Sequence, residues 1–548
     1  MRGGFEPLVE EAFKQTSFEL IDTEGERPRF IDGRLFIPPG LLSQAAEEGF
    51  RRLSFFFRES HLAMLAEQLA LAENDKKPGN DGFVLNALLR NAVIAAKGEL
   101  ALCQDTGTAV IYGWKSENVF TGSGDDDAWL ESGIGAAYKK NNLRLSQIGA
   151  SSFLDEFNTG NNLPAQIQIH ASGKNPVYRF LFIAKGGGSS NKTSLFSMTK
   201  SLLEEQAFEK FLEEKIKALG TAACPPYRLA VVVGGTSPEF NLEACKLASA
   251  EALDSAPYFE PGEDKEKSAS LPWIRRDKQW EEKAMSIGRR TGLGAQFGGS
   301  SLLLDARVLR LPRHAASCPV SIGVSCAAHR NLYAYIDSEG LHLEKTVTDP
   351  AKFLKERGIN LKTFDSNTAI IKRISVNKGI KEVCKELSNF NVGDKILLSG
   401  KLLMARDAAH LKWHNLLKEG KALPEYLYAY PVYYAGPAAT PPGKVIGSLG
   451  PTTAGRMDPY GEEFMSRGCS LVTVAKGNRS AEWKKLCSSY GAFYLGTIGG
   501  AAALLSEENV TGNELLDYPE LGMEAVRLIT VKDLPVFIII DNKGNSLY

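Results

Sequence analysis

Two apolar runs in this chain stop abruptly on glycines. Val177–Ala184 runs through Lys185 into Gly186-Gly187-Gly188, and Leu229–Val233 ends on Gly234-Gly235. Short apolar runs bounded by turn residues read as buried strands, and glycine lets the chain turn where a Cβ would clash. After the first glycine cluster, Leu195, Met198, Leu202 and Leu203 recur at helical spacing. Strand, glycine turn and helix in succession form the unit of a layered α/β fold. The alternation resumes from about residue 369 and ends on the strand-like run Val536–Ile540. Residues 41–100 read as helices. Phe50, Leu53 and Phe57 share one face there, and Leu62, Leu65, Ala66 and Leu69 form a second stripe with Ser60 as its N-cap. The expected class is α/β with mixed α+β layers: a helical N-terminal region leads into one α/β domain, and a smaller C-terminal α/β domain follows.

At 548 residues the chain exceeds what one core supports. The polar stretch KFLKERGINLKTFDSN suggests the division: residues 1–345, a linker at 346–368, and residues 369–548. Residues 253–290, charged and proline-containing, read as a surface insertion. Lysine plus arginine number 64 against 65 for aspartate plus glutamate, so no global field draws the chain to nucleic acid or an anionic membrane. No apolar run approaches the roughly 20 residues that span a bilayer. The N-terminal stretch MRGGFEPLVEEAF lacks a signal core, and eight irregularly spaced cysteines make no disulfide framework. A cytoplasmic location is expected, and a processed mitochondrial form is also compatible.

Three cysteines lie far apart, each in an unusual turn: Cys103 in LCQDTGT, Cys224 in GTAACPPY and Cys326 in VSCAAHR, with Cys318 competing for the third place. Structural metal sites usually close with four ligands in tight Cys-x-x-Cys pairs, and no such pair occurs here. Three separated thiolates suit a four-iron cluster with one iron free of protein ligands, a Lewis acid for a hydroxyl or carboxylate. Cys245, Cys384, Cys469 and Cys487 read as ordinary buried thiols. Asp105-Thr106-Gly107 matches the aspartic protease loop, but that chemistry needs two such carboxylates and no second copy occurs. Lys185-Gly-Gly-Gly-Ser-Ser-Asn-Lys-Thr193 imitates a phosphate loop without its glycine before the lysine. Its backbone N–H groups and following helix suit a small anion. Cys326-Ala-Ala-His329 lacks the second pair of a zinc site, and Arg313-His314, 12 residues before Cys326, is a candidate for acid–base work. Further on, Arg406-Asp-Ala-Ala-His410, Gly450-Pro-Thr-Thr-Ala-Gly-Arg456 and Ala475-Lys-Gly-Asn478 set cations among small residues. Arginine's planar fork pairs bidentately with a carboxylate, so these turns suit a dicarboxylate.

Together these segments resemble the class I, iron–sulfur fumarate hydratases, oxygen-sensitive hydro-lyases with fused N- and C-terminal catalytic domains. The likeness covers nearly the whole chain through CQDTGT, LRLSQ, NTGNNLPAQI, KGGGSSNKT, GTAACPPY, GLGAQFGG, RLPRH, SGKLLMARDAAH, GPTTAGRMD and AKGN, in that order. The resemblance implies a 4Fe–4S cluster on Cys103, Cys224 and Cys326. It implies a substrate held by Gln104, Asp105, Arg144, a glycine among Gly186, Gly187 and Gly188, Arg406, Thr452, Arg456 and Lys476. Thr452 becomes the base, helped by Asp105, with His314 close to the site. A homodimer and the reversible hydration of fumarate to (S)-malate follow from the same resemblance. The alternatives are a relative acting on tartrate or mesaconate and, from another class, a non-catalytic iron sensor. The full set of site residues favours the enzyme.

Overall fold

The computed structural model describes residues 4–23, 25–75, 79–122, 124–260, 262, 272–364 and 372–548. Two sheets with apolar faces build the first part, and three layers of helices cover them. The first sheet runs, in spatial order, Phe18–Ile21, Leu341–Glu344, Asn331–Ile336, Tyr178–Lys185, Thr108–Ser116 and Gln166–Ser172. The second runs Ser194–Met198, Cys318–Ser325, Tyr227–Gly235, Leu303–Arg313 and Arg275–Arg276. Helices Pro39–Phe55 and Asp126–Lys140 cover the outer face of the first sheet through Phe50, Leu130 and Phe182. Helices Glu6–Gln15 and Pro238–Ser249 lie between the sheets, where Phe13, Tyr112, Val232 and Cys245 meet. Glu205–Leu219 and Lys278–Arg290 cover the far face of the second sheet through Phe211, Ile216 and Ile287. Tyr227–Gly235 is therefore buried along its whole length, which explains its apolar run Leu229–Val233.

The C-terminal sheet runs Lys372–Ser375, Lys395–Met404, Val432–Tyr433, Val472–Ala475, Phe493–Gly496, Val526–Ile540 and Val510–Asp517. It curls back on itself, because the 15-residue strand Val526–Ile540 also lies antiparallel to Lys395–Met404. Helices Glu59–Glu73 and Asp81–Ala95 share one apolar cluster with Ala405, Ala475, Tyr494 and Phe537 of this part. That packing brings the Cys103 turn, which follows these helices, against the C-terminal turns. The mixed α/β class expected from the sequence is the class observed. Among the described residues no helix is long and apolar enough to cross a membrane.

Local expectations fare less evenly. Leu195–Leu203 is not a helix: Ser194–Met198 is a strand antiparallel to Cys318–Ser325, and Lys200–Leu203 is a tight 3₁₀ turn. Phe196 and Met198 lie two apart against the same core as Leu202 and Phe208, so a strand joined to a turn imitates helical spacing. The glycine cluster is consequently followed by a single turn, Gly187–Ser190, too short to present a helix dipole. Ser60 is not a cap either. The helix starts at Glu59, and Arg58 before it is drawn to Glu251 and Glu344. Within 253–290, residues 261 and 263–271 lie outside the described residues, while Arg275–Arg276 joins the second sheet and Lys278–Arg290 covers it. That portion belongs to the fold rather than to a surface insertion. The polar stretch at 346–368 holds the helix Pro350–Glu356, with Leu354 and Phe364 buried; residues 365–368 lie outside the described residues.

Candidate active site

The turn Cys103–Gly107 leads from the helical layer into the strand Thr108–Ser116. Gly107 takes φ +85°, and a Cβ there would stand 2.9 Å from the Lys185 carbonyl carbon, so the two turns touch. Asp105 is held from three sides. The Gly187 N–H donates to its Oδ2 at 2.8 Å, Arg144 Nη2 lies 3.0 Å from Oδ1, and Arg330 Nη2 donates to its carbonyl at 2.7 Å. Burial pushes this carboxyl up, but Arg144, Arg330 and Lys476 outweigh it and hold Asp105 below the ordinary carboxylate range. Gly186 backs the same carboxylate, where a Cβ would meet Oδ2 at 3.1 Å.

The facing wall comes from two C-terminal turns zipped together by backbone. Thr452 N–H donates to Tyr434 at 2.8 Å, Lys476 N–H to Thr452 at 3.1 Å, and Ala454 N–H to Lys476 at 2.8 Å. Thr452, Arg456 and Lys476 thus ride on one edge. Buried Arg479 locks that edge, donating to the Ala454 carbonyl at 2.8 Å and to Asp458 at 2.6 Å while stacking on Trp483. Gln104 closes the corner. Its Nε2 donates to the Pro451 carbonyl at 3.2 Å, and Gly450 sits so close that a Cβ would meet Gln104 Oε1 at 2.5 Å. Arg406 is held by Glu524 at 3.0 Å and Asp407 at 3.3 Å, and Arg456 reaches the same Asp407 at 3.5 Å.

Between the walls lies a cavity of about 180 Å³. Gln104, Asp105, Arg144, Gly187, Gly188, Arg406, Thr452, Arg456 and Lys476 all line it. Four cations against one carboxylate make this an anion site. A larger groove of about 1420 Å³ shares Arg144, Ser146 and Arg406 with it and runs on between residues 131–163 and 437–527. Gly186 stands behind Asp105 rather than in the cavity wall. His314 does not line the cavity: it is exposed in the turn after Leu303–Arg313, its Nδ1 accepting the Ala316 N–H at 3.2 Å.

The three separated cysteines are gathered beside this cavity. Cys224 adopts φ +61°, a left-handed conformation that few side chains take, and Lys476 Nζ donates to its sulfur at 2.8 Å. The Cys224 carbonyl accepts the Ala327 N–H at 3.0 Å, which ties its turn to that of Cys326. Cys103 sulfur donates to Gln104 Oε1 at 3.4 Å. Burial pushes the Cys224 thiol up to about 12, with Lys476 opposing and Cys326 and Cys103 adding to the rise. Cys103 is likewise raised by burial, opposed by Arg330, with Cys326 adding. Cys318 lies apart, paired with Met198 and packed in the core of the second sheet. All eight cysteines are free thiols. Among the described residues no three histidine, cysteine or acidic side chains converge tightly enough for a single ion.

Sequence reasoning missed the groups behind these side chains. Arg330 is buried, contacts Asp105 and leaves Nη1 without a hydrogen-bond partner among the described residues. Its signal was present, an arginine four residues past Cys326 in the Cys-x-x-His segment set aside as a zinc half-site. Behind the Cys326 turn, His61 Nε2 donates to the Ala327 carbonyl at 2.9 Å and its Nδ1 accepts from Arg228 at 3.3 Å, which fixes the tautomer. Burial and Arg228 push His61 down to about 3, so it stays neutral. Arg228 in turn pairs with Glu251, and Glu251 with Arg58. No local pattern marks that network, because its members come from four distant segments.

Fold and cavity together define a class: a two-part α/β protein with a small-dianion site beside three thiols. The chain belongs to the fumarate hydratase family, class I. The family model described as fumarate hydratase (fumerase) matches residues 43–334, and that of the fumarase C-terminus matches residues 340–548. Fumarate hydratase 2 of Leishmania major is 45% identical over 514 residues, 94% of this chain and 87% of that protein. The anaerobic class I fumarate hydratase of Escherichia coli K12 is 44% identical over 535 residues, 97% of this chain and 94% of its own length. Fumarate hydratase 1, mitochondrial, of Leishmania major is 41% identical over 552 residues, 99% of this chain and 97% of that protein.

Proposed function

We propose that this chain hydrates fumarate reversibly to (S)-malate, using a 4Fe–4S cluster held by Cys103, Cys224 and Cys326. The observation that carries the reading is the ring of Arg144, Arg406, Arg456 and Lys476 around a cavity of about 180 Å³ that also exposes Thr452 and Asp105. That volume is below the roughly 300–1,000 Å³ of drug-sized pockets, and four cations match two carboxylates.

The donor set fits the cluster. Three thiols, Cys103 and Cys224 buried and Cys326 half-buried, are too widely set for one ion, yet Cys326 lies near enough to the other two to disfavour their charge; such a set suits a polynuclear centre. Lys476 at Cys224 and the free Nη1 of Arg330 offset the negative charge of such a centre. When bound, the cluster supplies an iron open to the substrate hydroxyl as a Lewis acid.

The remaining work falls to side chains of the chain. Arginine forks orient both carboxylates and stabilise the charge that builds on one of them when a proton leaves the adjacent carbon. Thr452 takes that proton. A threonine hydroxyl is a weak base, so ionised Asp105 in the same cavity is its partner. In this reading residues 1–345 supply the thiols, Gln104, Asp105 and Arg144. Residues 369–548 supply Arg406, Thr452, Arg456 and Lys476, with 346–368 joining the two, and the enzyme works as a cytoplasmic homodimer. His314 has no part in the single-chain site.

The test is an anaerobic assay of fumarate, mesaconate and tartrate side by side. Fumarate should have the highest kcat/KM by about tenfold, since one methyl or hydroxyl is worth roughly 1–3 kcal/mol in a fitted pocket. A preference for tartrate or mesaconate would replace the substrate assigned here.

A further inference from the structure

The segment GLGAQFGG carries a residue that the proposed chemistry does not use. Gln296 is only 2% exposed, and its side-chain amide is fully engaged. Nε2 donates to the Pro225 carbonyl at 3.1 Å and to the Gly499 carbonyl at 2.9 Å, while Oε1 accepts the Gly499 N–H at 2.7 Å. One amide therefore clamps both backbone polar groups of Gly499 and the residue immediately after Cys224. Tyr548, at the far end of the chain, donates to the Gln296 carbonyl and anchors the clasp from behind.

Gly499 is held where no side chain fits. A Cβ there would lie 2.3 Å from Cys224 sulfur and 3.1 Å from Lys476 Cδ. The C-terminal part thus presses bare backbone against a thiol of the N-terminal part, beside the ammonium that donates to it. Gly499 belongs to the Gly499-Gly500 turn after Phe493–Gly496, and Gln296 is the side chain that fixes its distance from the sulfur.

We propose that Gln296 is a positioning residue for Cys224, acting through Gly499, and that it governs how firmly the proposed cluster is retained. The inference rests on the cluster reading above. Groups that orient metal ligands from behind typically change metal affinity by 10–100-fold when removed. An amide is required because donor and acceptor are both used. Methionine keeps the volume and loses both, and glutamate keeps the acceptor but loses the donors.

The experiment compares anaerobically purified parent, Gln296→Met, Gln296→Glu and Gly499→Ala. Iron and sulfide per chain, thermal midpoint, and the rate of cluster absorbance loss to an iron(II) chelator are measured on each. The expected result is a folded Gln296→Met that releases iron about tenfold faster than the parent, with Gln296→Glu similarly fast. Gly499→Ala should fold but take up little iron. Equal release rates in parent and Gln296 variants, whatever their thermal midpoints, overturn the positioning role. If the Gln296 variants do not fold, Gly499→Ala decides, and a full, equally stable cluster in it overturns the proposal. A folded parent without iron overturns the cluster reading and this inference with it.

Discussion

Arg144→Lys tests the geometry of the anion site. Arg144 is largely buried, its side chain 10% exposed, and works in three directions. Nη2 meets Asp105 at 3.0 Å, Nε donates to Ser146 Oγ at 3.0 Å, and Nη1 reaches the Gly436 carbonyl at 3.5 Å. Lysine preserves the charge but gathers its donors on one nitrogen, so it can keep Asp105 or face the substrate, not both in the present geometry. A hydrogen bond to a charged group is worth about 1.5–3 kcal/mol, and losing one at the lower-middle of that range costs about 2 kcal/mol. At about 1.4 kcal/mol per factor of ten, kcat/KM should fall roughly 30-fold. The assay is the ultraviolet loss of the fumarate double bond under anaerobic conditions, normalised to iron. A kcat/KM within about threefold of the parent at equal iron content would refute the clamp.

Other outcomes follow from the same geometry. Cys326→Ser should lose most of its iron while Cys318→Ser, altered in the core of the second sheet, keeps it; the reverse pattern in iron analysis sinks the ligand assignment. Arg456→Lys should lower kcat/KM by about tenfold or more at normal iron content, because lysine cannot form the bidentate clamp; near-parent kinetics would remove Arg456 from the site. His410, packed among Trp413, Tyr434 and Phe464, is pushed down to about 4 by burial. The unfolded chain takes up that proton first, near pH 6.5, so this contribution is complete above 6.5 and is lost as pH falls toward 4. By pH 5 the loss is about 2 kcal/mol. His410→Phe should flatten that limb of urea-derived stability between pH 7 and 5, and an unchanged slope counts against the buried neutral histidine.

The sequence was most legible where function demands unusual composition. Cys103, Gln104 and Asp105 on one turn, and Thr452, Arg456 and Lys476 on glycine-containing turns, do line or flank one cavity. Small residues there permit the close backbone approach seen at Gly450 against Gln104. What stayed hidden was whatever depends on distant segments meeting. Glu524, which holds Arg406, lies 118 positions away from it; the Gln296–Gly499 clasp joins positions 203 apart. The false helix at 195–203 failed for a local reason. Apolar residues two apart in a strand, followed by a tight turn, leave the same spacing as a helix face.

An open-iron hydratase must lose its activity, but not its fold, when the labile iron is oxidised. The protein is purified anaerobically, assayed for iron, sulfide and fumarate hydration, then exposed to air and assayed again beside its thermal midpoint. About four irons per chain are expected, with activity that disappears in air while the midpoint stays nearly unchanged, then returns on anaerobic treatment with iron(II) and thiol. Full fumarate hydration by iron-free protein, or undiminished activity after complete oxidation, would contradict an open-iron hydratase.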